Sequence, residues 1–310
     1  MQPVGGVSRS ESLLSKASFS DATEQETGLP GWQQRYTKLN RGPFQGSVTR
    51  LMLPGVTVIC ERAVGVLHME SCPPPGTFAV CLPAHVGPTR INGVSVAPFV
   101  YQSAGTSIDG SQDGAGEAIT LQIDAVRLPE SVRALGTGLM LAELSASSVL
   151  LRRWVSSVVG AFGRHAEPSR EAVERVGGAM VARVLDSLED LHATCCLKPL
   201  KLTHCYELYR RVTALVERED YEVHDVAALA RRLSVPDFII RAAFKEVLGV
   251  PPRLWLQQKR LASAHRSLRA GSERHRTIAE IALNSGFNHV SRFSHYYERT
   301  YGRLPSQSRL

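Results

Sequence analysis

The chain has 310 residues, is 43% apolar and carries a formal charge of +7. That apolar content is enough for buried cores in about two domains, which excludes both a small stapled fold and a disordered chain. No apolar run approaches the ~20 residues that cross a bilayer, and the N-terminus lacks the charged-then-apolar layout of a signal peptide. A cytoplasmic protein with no membrane partner is therefore expected.

The charge is unevenly placed. Residues 201–310 hold 19 Lys and Arg against 11 Asp and Glu, whereas residues 1–200 hold 17 against 18. A basic C-terminal third beside a nearly neutral remainder points to an anionic polymer as partner of the former. The six cysteines include no C-x-x-C pair, so neither a zinc site nor a disulfide framework is expected, and the thiols read as reduced and mostly core.

Residues 1–30 are rich in Ser, Gly, Glu and Gln without a sustained period and read as a flexible leader. From residue 31 the character changes. Short apolar stretches at 48–53, 56–60, 65–69, 78–82, 94–101 and 119–123 are separated by turn formers such as Pro54-Gly55, Asn92-Gly93 and Asp109-Gly110. Such recurrence implies antiparallel strands, and a cupin-like β-barrel over 31–128, able to enclose a small ligand, is expected in an α+β chain. His68 and His85 stand alone without an H-x-H partner, so they read as structural groups or ligand contacts; no metal site and no catalytic residues are expected.

After Leu128-Pro129 the pattern turns helical over 131–144, 147–162 and 170–191, with apolar residues three and four apart. Residues 129–200 are thus a helical coupling region whose stripes pack on the barrel or form a homodimer surface. A further helix over 202–219 presents Tyr206, Tyr209, Val212, Leu215 and Val216 on one side and leads into an all-α domain, residues 201–310.

That domain contains one helix-turn-helix pattern written twice. Asp225 caps a helix with Val226, Leu229, Ala230 and Leu233 on its inner face; Pro236 opens a second helix with Ile240, Ala243, Phe244 and Val247 inward, stopping at Gly249. In the second copy Thr277 and Glu280 form a capping box, Gly286 makes the turn, and Phe293, Tyr296 and Tyr297 point inward before Gly302. Ile240, Phe244, Gly249 and Pro252 reappear 53 residues later as Phe293, Tyr297, Gly302 and Pro305. Between the copies, Leu254, Leu261, Ala264 and Leu268 mark a long helix that sets their separation, about 34 Å if two successive major grooves are read.

Phe244-Lys245, Gly249, Pro252, Arg260-Leu261 and Ala264, with the run from Thr277 through Ala282, then Gly286-Phe287, Ser291-Arg292-Phe293, Gly302 and Pro305, resemble the DNA-binding domain of AraC/XylS-type transcription regulators. The resemblance implies base reading by Phe238, Arg241 and Ala242 in the first unit and by Val290, Ser291, Arg292, Ser294 and His295 in the second. Arg241 and Arg292 suit guanine, and Phe238 suits a thymine methyl. Pro236 stands where the family often has a Ser cap, and Ala242 where it often has a polar residue, so weaker base reading is expected from the first helix. Arg253, Lys259, Arg266, Arg274, Arg276, Arg299 and Arg303 are candidates for phosphate contact.

A second resemblance rests on Gly31-Trp32-Gln33-Gln34, Tyr36, Gly42, Phe44, Gly46, Gly65, Cys72, Phe78, Gly286-Phe287-Asn288-His289 and Pro305-Ser306, and is similar to the branch of ethanolamine-operon activators, which implies ethanolamine and adenosylcobalamin as effectors. The function expected is an effector-controlled regulator, an activator by family default, with double-stranded DNA and RNA polymerase as partners and no cofactor besides the effector. The residues that bind the effector are not legible. The rival expectations are regulation through protein contacts alone, and a barrel enzyme or carrier fused to a basic domain.

Overall fold

The computed structural model describes residues 13–85, 89–95, 99–133, 138–142, 146–164, 168–218 and 225–309. Its strands are β1 (Leu14–Phe19), β2 (Gln33–Lys38), β3 (Gln45–Leu53), β4 (Val56–Val64), β5 (Leu67–Cys72), β6 (Thr77–His85), β7 (Thr89–Ile91), β8 (Val94–Ser95), β9 (Phe99–Gln102), β10 (Ile108–Gln112), β11 (Ala115–Asp124), β12 (Leu139–Ala142) and β13 (Leu197–Pro199). Its helices are α1 (Ala22–Gln25), α2 (Glu130–Arg133), α3 (Ala146–Arg164), α4 (Arg170–Ala193), α5 (His204–Arg218), α6 (Val226–Leu233), α7 (Asp237–Leu248), α8 (Pro252–Arg269), α9 (Ile278–Asn284) and α10 (Val290–Tyr301).

The expected cupin-like β-barrel is not what forms. The strands make two open antiparallel sheets, an eight-stranded one in the order β1-β3-β4-β11-β6-β9-β12-β13 and a five-stranded one in the order β2-β5-β10-β7-β8, and no ladder among the described residues joins them. Turn residues and alternation identify strands locally, but closure depends on whether distant edges pair, which neither signal encodes.

Period-two alternation then builds the layers. On the eight-stranded sheet, Val58 of β4, Val80 and Leu82 of β6, and Ile119 and Leu121 of β11 join one core with Leu151 and Val155 of α3 and Met180, Val184 and Leu188 of α4. Each fully buried Leu or Met there contributes roughly 2–3 kcal/mol of apolar burial. Their sequence neighbours Ile59, Glu61, Cys81, Ala118 and Thr120 point the other way, into a pocket closed on its far side by the five-stranded sheet. The outer face of that second sheet carries the helices from α5 onward, so the order of layers is helix pair, sheet, pocket, sheet, helical domain.

Two further expectations are revised. Residues 14–28, assigned to a flexible leader, include β1, paired with β3 from Leu14↔Leu51 to Phe19↔Gly46, and α1, capped by Asp21, whose carboxylate accepts the Thr23 amide hydrogen bond. The composition was polar because these residues answer charges on the helical domain, as described below. Residues 139–142, read as part of a helix, form β12 between β9 and β13; an apolar run this short suits a buried strand as well as a helix.

The duplicated pattern is realised in the structure. Ile240 and Phe293, and Phe244 and Tyr297, are fully buried at equivalent places, and α7 and α10 both end on left-handed glycines, Gly249 (φ 75°) and Gly302 (φ 70°). The Thr277–Glu280 capping box is complete. Neither α7 nor α10 has a side-chain hydrogen bond at its N-cap, where Pro236 and His289 stand.

Candidate nucleic-acid interface and enclosed pocket

The second helix of each unit presents an uncovered N-terminal face. Phe238, 66% exposed, lies with Arg241 and Ala242 on the outside of α7, and Val290, Ser291, Arg292 and His295 are exposed on α10, with Ser294 half-buried. A cleft between the units brings Arg241, Arg253 and Arg292 to one surface, together with Asn288 and His289, which were named for the second resemblance but not as DNA contacts. The two arginines differ. Arg241 donates to Asp237 one turn earlier at 3.1 Å, whereas no ion pair holds Arg292 among the described residues. Arg241 must give up that pairing, although an exposed pair of this spacing is worth only about 0.3–0.5 kcal/mol.

The phosphate candidates divide. Arg253, Arg274 and Arg299 are exposed, and Arg276 is half-buried with a 3.5 Å ion pair to Glu273. Lys259, Arg266 and Arg303 instead face the sheets. Lys259 is buried on Glu70 of β5, Arg266 meets Glu26 at 2.6 Å, and Arg303 meets Asp21 at 3.0 Å. In this arrangement those three are engaged by carboxylates and turned away from a polyanion.

The five-stranded sheet is the partition between pocket and helical domain. On β10, Ile108, Gly110 and Gln112 line the pocket, while Asp109 and Ser111 face outward: Tyr206 of α5 donates to Asp109 at 2.6 Å, and Ser111 donates to the Val247 carbonyl at the end of α7 at 3.1 Å. On β5, Met69 and Ser71 line the pocket, while His68 lies 2.9 Å from the Tyr209 hydroxyl and Glu70 holds Lys259. His68, lone in sequence, is fully buried and hydrogen-bonded through Nε2.

His68, Glu70 and Asp109 form a compact group of possible ligands, but their chemistry fits a hydrogen-bonded junction better than a metal site. The imidazole meets Asp109 through Nε2 at 3.2 Å, its Nδ1 lies 3.8 Å from Glu70 without a hydrogen bond, and the Lys259 ammonium already sits on Glu70. The carboxyl of Asp109 lies below its ordinary value: burial pushes it up, but His68, Tyr206 and Arg210 outweigh that.

The pocket holds about 900 Å³ of empty space including its mouth. Leu29, Trp32, Ile59, Met69, Ile91 and Ile108 give it an apolar wall, and Glu61 brings a carboxylate into it. Tyr36, Gln25 (2.8 Å) and Gln34 (3.4 Å) all donate to Glu61 Oε1. Burial pushes the Glu61 carboxyl above its ordinary value despite those donors. Trp32 donates to Gln122 at 2.7 Å, which fixes its indole in the wall, and burial pushes the Cys81 thiol up to about 11, leaving it inert at neutral pH. The sequence assigns none of these residues to a ligand pocket and does not single out Glu61, because β4 shows no clean alternation around it.

Comparison with known proteins bears on the helical domain. Residues 229–310 match the family model described as a helix-turn-helix domain. Over 100 residues, 32% of this chain and 36% of the other, the sequence is 30% identical to the virulence regulon transcriptional activator VirF of Yersinia enterocolitica. Over 99 residues, 32% of this chain and 34% of the other, it is 28% identical to the HTH-type transcriptional regulator ExsA of Pseudomonas aeruginosa. It is 25% identical over 170 residues to a probable thc operon regulatory protein of Rhodococcus erythropolis, covering 53% and 51%. The chain spans about a third of the length of the first two relatives.

Among solved structures, the AraC-like transcriptional activator CuxR aligns at 14% identity with a TM-score of 0.42, covering 74% of this chain and 89% of that one. ToxT from Vibrio cholerae O395 aligns at 13% identity with a TM-score of 0.32, covering 89% and 96%. None of these relatives is named as an ethanolamine regulator. Among the described residues, no helix is long and apolar enough to cross a membrane.

Proposed function

We propose that this chain is a helix-turn-helix transcription regulator of the AraC/XylS type that activates transcription from a specific site on double-stranded DNA under the control of a small molecule held between its two sheets. The observation that carries the DNA reading is the pair of uncovered helix faces on α7 and α10, each preceded by a correctly capped first helix and converging on an arginine-lined cleft. Arg292, Ser291 and His295 are the principal base readers, Arg241, Phe238 and Ala242 contribute shape and apolar contact, and Arg253, Arg274, Arg276 and Arg299 answer phosphates.

Effector control is supported by the partition. Alternate residues of β5 and β10 touch the pocket on one face and α5, α7 and α8 on the other, so a ligand that reshapes one face of these strands biases the other. Dimerisation is supported by α3, which exposes Leu150 (62%) beside Val149 (37%), and RNA polymerase is the partner through which activation acts. The relatives named as activators support that direction.

Mobility shifts with the chain's own upstream DNA against scrambled competitor test this. Arg292→Ala is expected to change preference across operator variants by about 1–3 kcal/mol per position read, and Arg241→Ala by less. Sequence-indifferent binding by the wild-type protein would refute the regulator reading. Equal or reversed losses for the two arginines would remove the proposed difference between the units.

A further inference from the structure

We propose that the pocket between the sheets is a site for a small organic ammonium with an apolar body, whose nitrogen is held by Glu61. This rests on the effector-control reading above and names the ligand chemistry that reading lacks.

Glu61 is a carboxylate brought into a mostly apolar space without a countercharge. No Lys, Arg or His pairs with it among the described residues, and its Oε1 alone collects the hydrogen bonds from Tyr36, Gln25 and Gln34. The three donors keep that oxygen an acceptor and fix the carboxyl plane, which leaves Oε2 for whatever occupies the pocket that Glu61 lines. Unpaired charge removed from water is costly, and the upward displacement of the Glu61 carboxyl shows that the cost is present here. A cation placed against Oε2 relieves it, whereas a ligand carboxylate there would add to it.

The neighbouring structure is built to keep this geometry. Gln25 reaches Glu61 from α1 only because position 46 is glycine: a Cβ there would lie 1.7 Å from Gln25 Oε1 and 2.7 Å from the Phe44 ring. Trp32, anchored by Gln122, also lines the pocket and offers an aromatic ring, a surface that attracts an ammonium within about 6 Å of its centre. Ile59, Met69, Ile91 and Ile108 accept the apolar part. Arg90 and Glu117 also line the pocket and are the other charges an occupant meets.

The test uses the full-length protein with matched probes: hexylamine and benzylamine against hexanol, benzyl alcohol, hexanoate and benzoate. Thermal shift reads binding, since a ligand selective for the folded state raises the melting temperature. Mobility shift on upstream DNA reads control. The amines are expected to raise the melting temperature and their neutral and acidic counterparts to leave it unchanged. Glu61→Gln, which keeps size and donors' partner, is expected to bind the amines about 10- to 100-fold more weakly, the range for a charge-assisted hydrogen bond. Ile108→Phe, which narrows the apolar part of the pocket and leaves Glu61 in place, is expected to weaken hexylamine and benzylamine binding as well, so the conclusion does not hang on one variant folding.

Better binding of the acids, equal amine binding by Glu61→Gln, or no shift with any probe would overturn the ammonium assignment. If the amines bind through Glu61 but DNA affinity does not change, the site stands and effector control falls. If a neutral or acidic probe alters DNA affinity, control stands and the ammonium assignment falls.

Discussion

The two helix-turn-helix units are built on one pattern but are attached to the sheets by different physics. The first shares an apolar core with them: Leu39 belongs to the same buried cluster as Tyr209, Phe244, Val247 and Trp255, and Val66 packs against it. The second has a core made only of residues from α8 onward, including Leu261, Ala264, Ile281, Phe293 and Tyr297. Its attachment is polar: Lys38 donates to the Thr300 carbonyl at 2.9 Å, His265 lies 2.6 Å from Asp21, and Arg269 and Glu24 pair at 2.5 Å. Apolar burial is insensitive to salt and to mild acid, whereas ion pairs answer to both, so one unit is fixed while the other is conditionally held.

The largest effect should come from the fixed side. Tyr209 stacks with Tyr206 and meets the Phe244 ring at 5.2 Å, so Tyr209→Ala is expected to cost about 3–5 kcal/mol in denaturant unfolding. Tyr209→Phe, which loses only the hydroxyl bonded to His68, is expected to cost about 1–3 kcal/mol. A loss below about 1 kcal/mol for the alanine variant would mean the shared core is not what fixes the first unit.

Asp21 is the corresponding centre on the conditional side, touching His265 and Arg303 while its other bonds cap α1. Asp21→Asn is expected to cost about 1–3 kcal/mol and to speed hydrogen exchange in α1 and α10 more than in β10. Burial raises the Asp21 carboxyl, but His265 and Thr23 outweigh it and hold the group well below its ordinary value of 3.8. A depressed acid gives stability that is present above its unfolded pKa and lost as pH falls toward the folded one. Acidification below about pH 4 should therefore loosen this attachment progressively. Protection of α10 that is flat from pH 6 to pH 3 would contradict the assignment.

The turns offer a finer contrast. Gly286 takes a left-handed φ of 81° in the second unit, and Ser234 takes one of 53° in the first. A side chain in that region costs about 1–2 kcal/mol, so Gly286→Ala should destabilise by about that amount. Ser234→Gly should stabilise by up to about 1 kcal/mol, the relief being partly offset by the freer unfolded chain. The same sign for both substitutions would show that the two turns are not comparable. The smallest effect concerns salt: going from about 0.1 to 1 M shortens the screening length from about 10 to 3 Å. Exchange in α9 and α10 should rise by a few-fold while the Tyr206 and Tyr209 region stays unchanged.

The legible part of this fold was the part written in adjacent residues. The 53-residue repeat, the caps and the inward faces of α6 to α10 follow from helical spacing and survive intact. The strands were legible too, but not the open edges of the sheets, because pairing partners lie far apart in sequence. The docking carboxylates Asp21, Glu24 and Glu26 were hidden in a stretch whose polarity resembles that of a flexible leader until its partners Arg266, Arg269 and Arg303 are seen. Of those partners, Arg266 and Arg303 had looked like phosphate contacts, since a lone arginine does not announce which anion it meets. Glu61 was invisible for the converse reason: a carboxylate in a strand reads as solvent-facing unless both sheet faces are known to be covered.

The alternation along β5 and β10 has an evolutionary corollary. Because Met69, Ser71, Ile108 and Gln112 belong to one face and His68, Glu70, Asp109 and Ser111 to the other, a lineage can rewrite what the cavity recognises while leaving the transmission surface untouched. Point substitutions suffice for such divergence, whereas a single inserted residue in either strand would exchange the two faces and erase recognition and transmission together. The same separation makes the cavity-facing set the natural library for engineering new responses onto an unchanged output.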